Sequence, residues 1–130
     1  RGVHDVTIHT LTMTHCEMGN DAALHALKKG LAFYAATEHY HFMFGKSGFR
    51  EEAEQIKALW DEGKREEGAE AMSDEFVEAF SLAGDIDQWS DRLSYYAEEG
   101  IYPIIYPVPR RDNIFEDMKE SIRLAADAWG

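Results

Sequence analysis

Two segments of the chain have the hydrophobic pattern of β-strands. In residues 3–13, β-branched residues are common and polar residues stand between apolar ones, which predicts a strand. Ile101–Pro107 is an apolar run with no helical period, which is typical of a parallel strand buried on both faces. Because a proline cannot donate to a strand ladder, Pro103 should lie at the start of its strand or at a sheet edge.

A long helix is predicted after the first strand, beginning near a glycine–asparagine break at residues 19–20. From Asp21 onward, apolar residues recur at spacings of three and four, at Leu24, Leu27, Leu31 and Tyr34. We expect this face to continue to Phe44 and to end in the glycine-containing segment of residues 45–48.

Five further helices follow from the same spacing rule. They are expected around the stripe of Ala53, Ile56 and Trp60, over residues 64–72, after the cap Ser73, after the capping pair of Asp85 and Gln88, and after the capping pair of Asn113 and Glu116. The last of them has the clearest amphipathic stripe of the chain, formed by Phe115, Met118, Ile122, Ala125 and Trp129.

The order of these elements predicts an α/β fold that is mostly helical, with two strands of the parallel type. Strands separated by helices are typical of βα units. Two strands alone make no stable parallel sheet, and a closed barrel of eight βα units takes about 250 residues. We therefore expect the 130 residues to be a single domain that forms only part of a larger barrel.

Composition narrows the classes of partner. The net charge of −12 argues against nucleic acid and against an anionic membrane surface, since both require clustered Lys and Arg. No stretch approaches the ~20 apolar residues of a membrane-spanning helix. The single cysteine, Cys16, excludes an internal disulfide and fits a reducing compartment, so we expect a cytoplasmic protein.

Three consecutive segments together resemble the C-terminal part of the luciferase-like flavin monooxygenases, the family of bacterial luciferase and F420-dependent enzymes. They are VTIHTLTMTHCEMGNDAALHALKKGLAFYAA, EHYHFMFGKSGFREEAEQIKALWDEGKREEGAEAM and SDEFVEAFSLAGDIDQWSDRLSYYAEEGIYPIIYPV, which cover residues 6–36, 38–72 and 73–108. The chain departs from the family pattern at residues 84–87, where Gly-Asp-Ile-Asp replaces Gly-Thr-Pro-Glu, and at residues 101–103, where Ile-Tyr-Pro replaces Val-Asp.

The resemblance implies a flavin-dependent oxidoreductase or monooxygenase built on a TIM barrel, with our two strands as its seventh and eighth. The cofactor would be FMN or the deazaflavin F420, bound at the carboxyl ends of the strands. The candidate substrate- or cofactor-pocket residues are Thr12, Thr14, His15, Arg110 and Arg111. The family's earlier strands supply much of the cofactor contact, so the chain alone should be inactive without the N-terminal part of a barrel or further copies of itself.

No catalytic residue follows from the sequence. A nucleophilic Cys16 would need a base aimed at its thiol, and adjacent strand residues such as His15 point to opposite faces. Glu38 and His41 have the spacing of a di-iron pair, but such sites need two pairs and two more glutamates, so we expect no metal.

Other features allow two interpretations. The aromatic segment of Tyr40, Phe42, Met43 and Phe44 is typical of a packed core or an oligomer face, and it would also suit a substrate pocket. Arg110 and Arg111 suit either a solvated loop or an anionic group at a helix N-terminus. The alternative to the enzyme hypothesis is a non-catalytic helical module that oligomerises through its strands.

Overall fold

A computed structural model describes the backbone of residues 8–14, 21–82, 86–109 and 112–129, with side chains from residue 24 onward in these ranges. The strands are β1 (Ile8–Thr14), β2 (Ser81–Leu82) and β3 (Ile101–Pro107). The helices are α1 (Asp21–Ala36), α2 (Glu38–Phe44), α3 (Arg50–Asp61), α4 (Arg65–Glu70), α5 (Asp74–Phe80), α6 (Ile86–Glu98) and α7 (Ile114–Trp129). The mostly helical α/β prediction is therefore confirmed. None of the described helices is long and apolar enough to cross a membrane.

The described strands form a parallel sheet in the order β2-β1-β3. β1 pairs with β3 along seven residues, from Ile8 with Ile101 to Thr14 with Pro107. The two predicted strands are thus neighbours, as consecutive strands of a barrel would be. The third strand, β2, was not predicted, because two residues are too few to show a period. The first five residues of the predicted segment 3–13 lie outside the described residues.

The helical face predicted to run from Asp21 to Phe44 is divided into two helices at Thr37, so the prediction of one continuous helix was wrong. Thr37 has extended backbone angles, with φ −86° and ψ 140°. Its hydroxyl donates to the carbonyl oxygen of Tyr34 at 2.7 Å. A threonine side chain that bonds to a nearby carbonyl competes with the helical ladder, which accounts for the break. Helical backbone resumes at Glu38 and continues through Gly45 to Gly48, whose φ of 99° ends it.

Helices α1 to α5 pack around a hydrophobic core of their own. Its buried members include Leu27, Leu31, Ala32, Ala35, Phe44, Ala53, Ile56, Ala69, Met72, Phe76 and Val77. The predicted stripe of α3 is confirmed at Ala53 and Ile56, which are fully buried, while Trp60 is partly buried. The predicted cap is also confirmed, since the Ser73 hydroxyl accepts from the backbone N–H of Phe76 at 3.1 Å.

A second, smaller core joins the sheet to α6 and α7. Leu82, Trp89 and Leu93 are buried there, and Ile105, Leu124, Ala125 and Ala128 pack against them. Only one face of β3 takes part, because Tyr102, Ile104 and Tyr106 are all about half exposed. The prediction that β3 is covered on both faces was therefore wrong for the described part of the chain. Pro103 lies in an edge strand of the described sheet, as expected.

Helix α7 is oriented differently from what a simple amphipathic pattern suggests. Its buried positions are Asp117 and Ser121, while most of the apolar stripe is exposed. Phe115 is 79% exposed and Ile122 60%. The Asp117 carboxylate accepts from the Asn113 side-chain amide at 3.0 Å, which contributes to the stabilisation of this buried polar group. The predicted partner of Asn113 was Glu116, but the side-chain amide and the carbonyl group of Asn113 both contact Asp117, and Glu116 pairs with Lys119 at 2.7 Å.

Candidate functional site

The carboxyl ends of the three strands meet at one end of the sheet. All pairings are parallel, and Thr14 is in register with both Leu82 of β2 and Pro107 of β3. In βα folds the carboxyl ends of the strands carry the ligand site. This end is therefore the candidate site of the chain, and the backbone of the described strands places Thr12 and Thr14 there.

The structure brings together only some of the residues that the sequence singled out. Thr12 is in register with Ile105, which packs against Trp89 and Leu93, and Thr14 is in register with Pro107. The side chains of both threonines lie outside what is described. His15, Cys16, Arg110 and Arg111 also lie outside the described residues. Their roles therefore stay predictions.

The exposed face of β3 offers an apolar and aromatic surface next to this end. Ile104 and Tyr106 are about half exposed on it, and Tyr106 is in register with Met13 of β1. Flat aromatic and aliphatic side chains are the groups that cover the face of a fused ring system. The described residues at this end therefore fit the ring part of a flavin or deazaflavin.

The N-terminus of α7 does not suit the phosphate of such a cofactor. Helix N-termini bind anions through free N–H groups and the positive end of the dipole. In α7 the first turn already holds two acidic residues, Glu116 and Asp117. The buried carboxylate of Asp117 supplies negative charge at this end of the helix. The described start of α7 therefore offers no binding site for such a phosphate.

Glu38 and His41, which have the spacing of a di-iron pair, lie on α2. The ring nitrogen Nδ1 of His41 lies 3.3 Å from the carbonyl oxygen of Ala35. Nowhere in the described residues do three His, Cys, Asp or Glu side chains come together as metal ligands. Glu38, His39 and His41 instead line a cavity of about 480 Å³ together with Arg50 and Glu54.

The aromatic segment of α2 divides into a buried and an exposed part. Phe44 is buried, with its ring centroid 4.9 Å from that of Phe76 and 4.6 Å from that of Phe80. Tyr40, Phe42 and Met43 are exposed. The core interpretation of this segment is thus confirmed for Phe44, while an oligomer face or a substrate pocket at the other three residues stays a prediction.

The sequence did not predict a polar cavity between α3 and α4, of about 680 Å³. In it the Glu52 carboxylate accepts hydrogen bonds from the backbone N–H and the hydroxyl of Ser73. These two residues are 21 positions apart, and no pattern in the sequence pairs them. The contact fixes the start of α5 against α3 and accounts for Glu52 without a catalytic role.

The shifted pKa values belong to exposed ion pairs, on helices and in the turn that holds Glu62 and Lys64. A hydrogen bond from Lys29, assisted by His25, lowers the pKa of Glu66, and a hydrogen bond from Arg123 lowers the pKa of Glu120. Catalytic acids and bases usually combine a shifted pKa with partial burial in a cleft. These surface pairs do not have that combination.

Comparison with known proteins finds a match to a family model but none to an individual protein. No curated protein and no solved structure matches the chain significantly. The model of the luciferase-like monooxygenase family matches residues 1–102 of the 130. The matched part holds β1, all the helices from α1 to α6, and the start of β3, while α7 lies beyond it. The resemblance seen in the sequence is therefore confirmed, and the chain belongs to the luciferase-like monooxygenase family.

Proposed function

We propose that the chain is the C-terminal βα portion of a flavin- or F420-dependent oxidoreductase or monooxygenase and is inactive by itself. Family membership supports the reaction class. The parallel pairing of β1 with β3 supports the placement as consecutive barrel strands. The remaining barrel strands would come from another polypeptide segment.

One observation carries the proposal, namely that the described residues cover β3 on a single face. Helices α6 and α7 pack against the face of β3 that includes Ile105. The other face leaves Tyr102, Ile104 and Tyr106 about half exposed. In a TIM barrel the strands carry helices outside and pack side chains inside. The open face corresponds to the barrel interior, whose other strands are not among the described residues.

In this proposal the cofactor carries out the reaction, and residues of the chain bind it. A bound flavin or deazaflavin supplies the hydride-transfer chemistry. Tyr106 and Ile104 cover part of its ring and exclude water from it. Arg110 and Arg111 bind an anionic group of the cofactor or of the substrate by charge-assisted hydrogen bonds.

A second candidate function has its own support. A non-catalytic module that oligomerises would expose apolar surface, and the described residues do so on α7, on α2 and on β3. Such a module, unlike the proposed enzyme portion, should bind FMN no better than riboflavin, which lacks the phosphate.

Titration of the purified chain tests the proposal, with FMN, riboflavin and F420 added separately and cofactor fluorescence recorded. We expect weak binding of FMN, with a Kd no tighter than about 100 µM, because the chain supplies only part of the contacts. Riboflavin, which lacks the phosphate, should bind more weakly than FMN. The variant with Arg110→Ala and Arg111→Ala should lose that difference.

The matched control is Arg65→Ala, which removes an exposed arginine of α4 whose guanidinium stacks on Trp60 at 5.1 Å. It should leave FMN binding unchanged. Saturable binding of FMN with a Kd far below about 100 µM would contradict the claim that the chain forms only part of the site. If FMN and riboflavin gave the same fluorescence response, and the variant without the two arginines gave it too, the result would instead support the non-catalytic module.

A further inference from the structure

The described residues form two hydrophobic cores that share no helix. The buried members of the larger core all lie in residues 21–80, on α1 to α5 or between them. The buried members of the smaller core are Leu82, Trp89 and Leu93. We call residues 21–80 the helical unit, and we call the three strands with α6 and α7 the sheet unit. We propose that the two units unfold independently and that the sheet unit opens more readily.

The packing of the helices follows the same division. The helices α1 to α5 pack mainly against one another, whereas α6 and α7 pack against each other and against β3. Two ion pairs also join helices inside the helical unit. Lys28 of α1 pairs with Asp74 of α5 at 2.8 Å, and Lys29 of α1 pairs with Glu66 of α4 at 2.6 Å. These contacts couple the helices of one unit to each other.

The border between the two units falls at Ser81, where α5 meets β2. Phe80, the last residue of α5, packs against the core of the helical unit. Leu82, two residues later, is buried in the core of the sheet unit. The Ser81 hydroxyl donates to the carbonyl oxygen of Val77 at 2.5 Å, which satisfies a buried polar group at the junction. The chain therefore passes from one core to the other within two residues.

The described contacts across the border are few and mostly polar. A groove of about 450 Å³ between α5 and α6 is lined by Glu78, Gln88, Asp91, Arg92 and Tyr95. The guanidinium group of Arg92 donates to the carbonyl oxygen of Glu78 in an exposed hydrogen bond. Water replaces such a bond when the groups separate, so its net contribution is small. Val108 adds an apolar contact, since it is partly buried against the core of the helical unit.

The helical unit is large enough to stay folded when the sheet unit opens. Its length of about 60 residues is in the range of small domains that fold without a disulfide or a metal. The ring of Phe76 contacts those of Phe44 and Phe49 edge-on, with centroids 4.9 Å and 5.0 Å away. The Glu52 carboxylate accepts from the Ser73 hydroxyl at 3.0 Å and so links α3 to the start of α5. The unit thus has a core and polar links of its own.

The sheet unit has features that lower its stability. On β3 the side chains of Tyr102, Ile104 and Tyr106 are about half exposed. The indole Nε1 of Trp89 is buried without an acceptor among the described residues, which is unfavourable. Regions with few buried apolar contacts open at a lower free energy than the rest of a protein, and ligand-binding regions are often among them. The candidate site at the carboxyl ends of the strands therefore lies in the unit that opens first.

Hydrogen–deuterium exchange of the full 130-residue chain, read by mass spectrometry, tests the independence of the two units. Leu27 of α1 and Leu93 of α6 are a matched pair, because both are leucines that are at most 2% exposed. Leu93→Ala should accelerate exchange at least 10-fold in β3, α6 and α7 and leave α1 to α5 within twofold of the unmodified chain. Leu27→Ala should accelerate exchange in α1 to α5 and leave β3, α6 and α7 within twofold.

Acceleration of both units by either variant would overturn the proposal, because it would show a single cooperative unit. If circular dichroism shows that a variant does not fold, exchange of the unmodified chain at rising urea concentrations decides the question. The sheet unit should then lose protection at a lower urea concentration than the helical unit. A shared urea dependence, earlier opening of the helical unit, or a sheet unit without protection in the absence of urea would each contradict the proposal. None of these results depends on cofactor binding.

Discussion

Replacing Trp89 by alanine should lower the free energy of unfolding by about 3–5 kcal/mol, the range for truncating a large buried aromatic side chain. Trp89 lies on α6 and is fully buried in the core that α6 forms with the sheet and with α7. The loss is a large fraction of the 5–15 kcal/mol that stabilises a typical domain. Equilibrium urea unfolding followed by circular dichroism measures it.

The same position allows a finer test, because Trp89 carries an unusual polar group. Its indole Nε1 is buried and has no hydrogen-bond acceptor among the described residues. Leaving a buried donor unpaired is unfavourable, so Trp89→Phe removes that cost along with some volume. We expect Trp89→Phe to be far less destabilising than Trp89→Ala.

The control for both variants is Tyr95→Ala on the same helix, where the side chain is exposed. It should change the free energy of unfolding by less than about 0.5 kcal/mol. If Trp89→Ala were as mild as Tyr95→Ala, the core that joins the sheet to α6 and α7 would not exist as described.

Replacing Phe44 by alanine should have an effect of similar size in the other core. Its ring contacts those of Phe76 and Phe80 edge-on, and such aromatic contacts add to the area that is buried. We expect a loss of about 3–5 kcal/mol in the free energy of unfolding. Urea unfolding, followed by circular dichroism at a helical wavelength, reports on it because this core holds α1 to α5 together.

Phe42 is the matched control for Phe44, since it is the same residue type on the same helix. Its ring is exposed and has Lys46 Nζ 5.4 Å from its centroid. An exposed cation–π contact contributes about 0.5–1 kcal/mol, so Phe42→Ala should cost no more than that. Equal losses for Phe42→Ala and Phe44→Ala would mean that α2 packs in a different rotation.

The sequence predicts the helical part well where local signals agree with packing. In α3 two local signals agree. The spacing of Ala53 and Ile56 predicts the buried side of the helix, and Gly63, whose φ is 78°, follows its end. At Thr37 the local signals disagree. The apolar period continues across it, and only the competing hydrogen bond of its hydroxyl shows that the helix ends there.

Features that depend on distant neighbours are not contained in the local pattern. The period of α7 shows an apolar stripe, but it does not show that the side of the helix with Asp117 and Ser121 is the one that is buried. The apolar run of β3 likewise cannot show that only the face with Ile105 is covered. The candidate site residues came from family resemblance, and β1 and β3 place only the backbone of Thr12 and Thr14 at the expected end of the sheet.

The central claim is that β3 has one face that the described residues leave uncovered, as a strand in a portion of a barrel would, and a pair of isoleucine variants tests it most directly. Ile104 is half exposed on that face, whereas Ile56 is fully buried in the helical core. Urea unfolding should show a loss of about 2–5 kcal/mol for Ile56→Ala and less than about 1 kcal/mol for Ile104→Ala. Equal, large losses at both positions would show that the face of Ile104 is covered in the isolated chain and would contradict the claim.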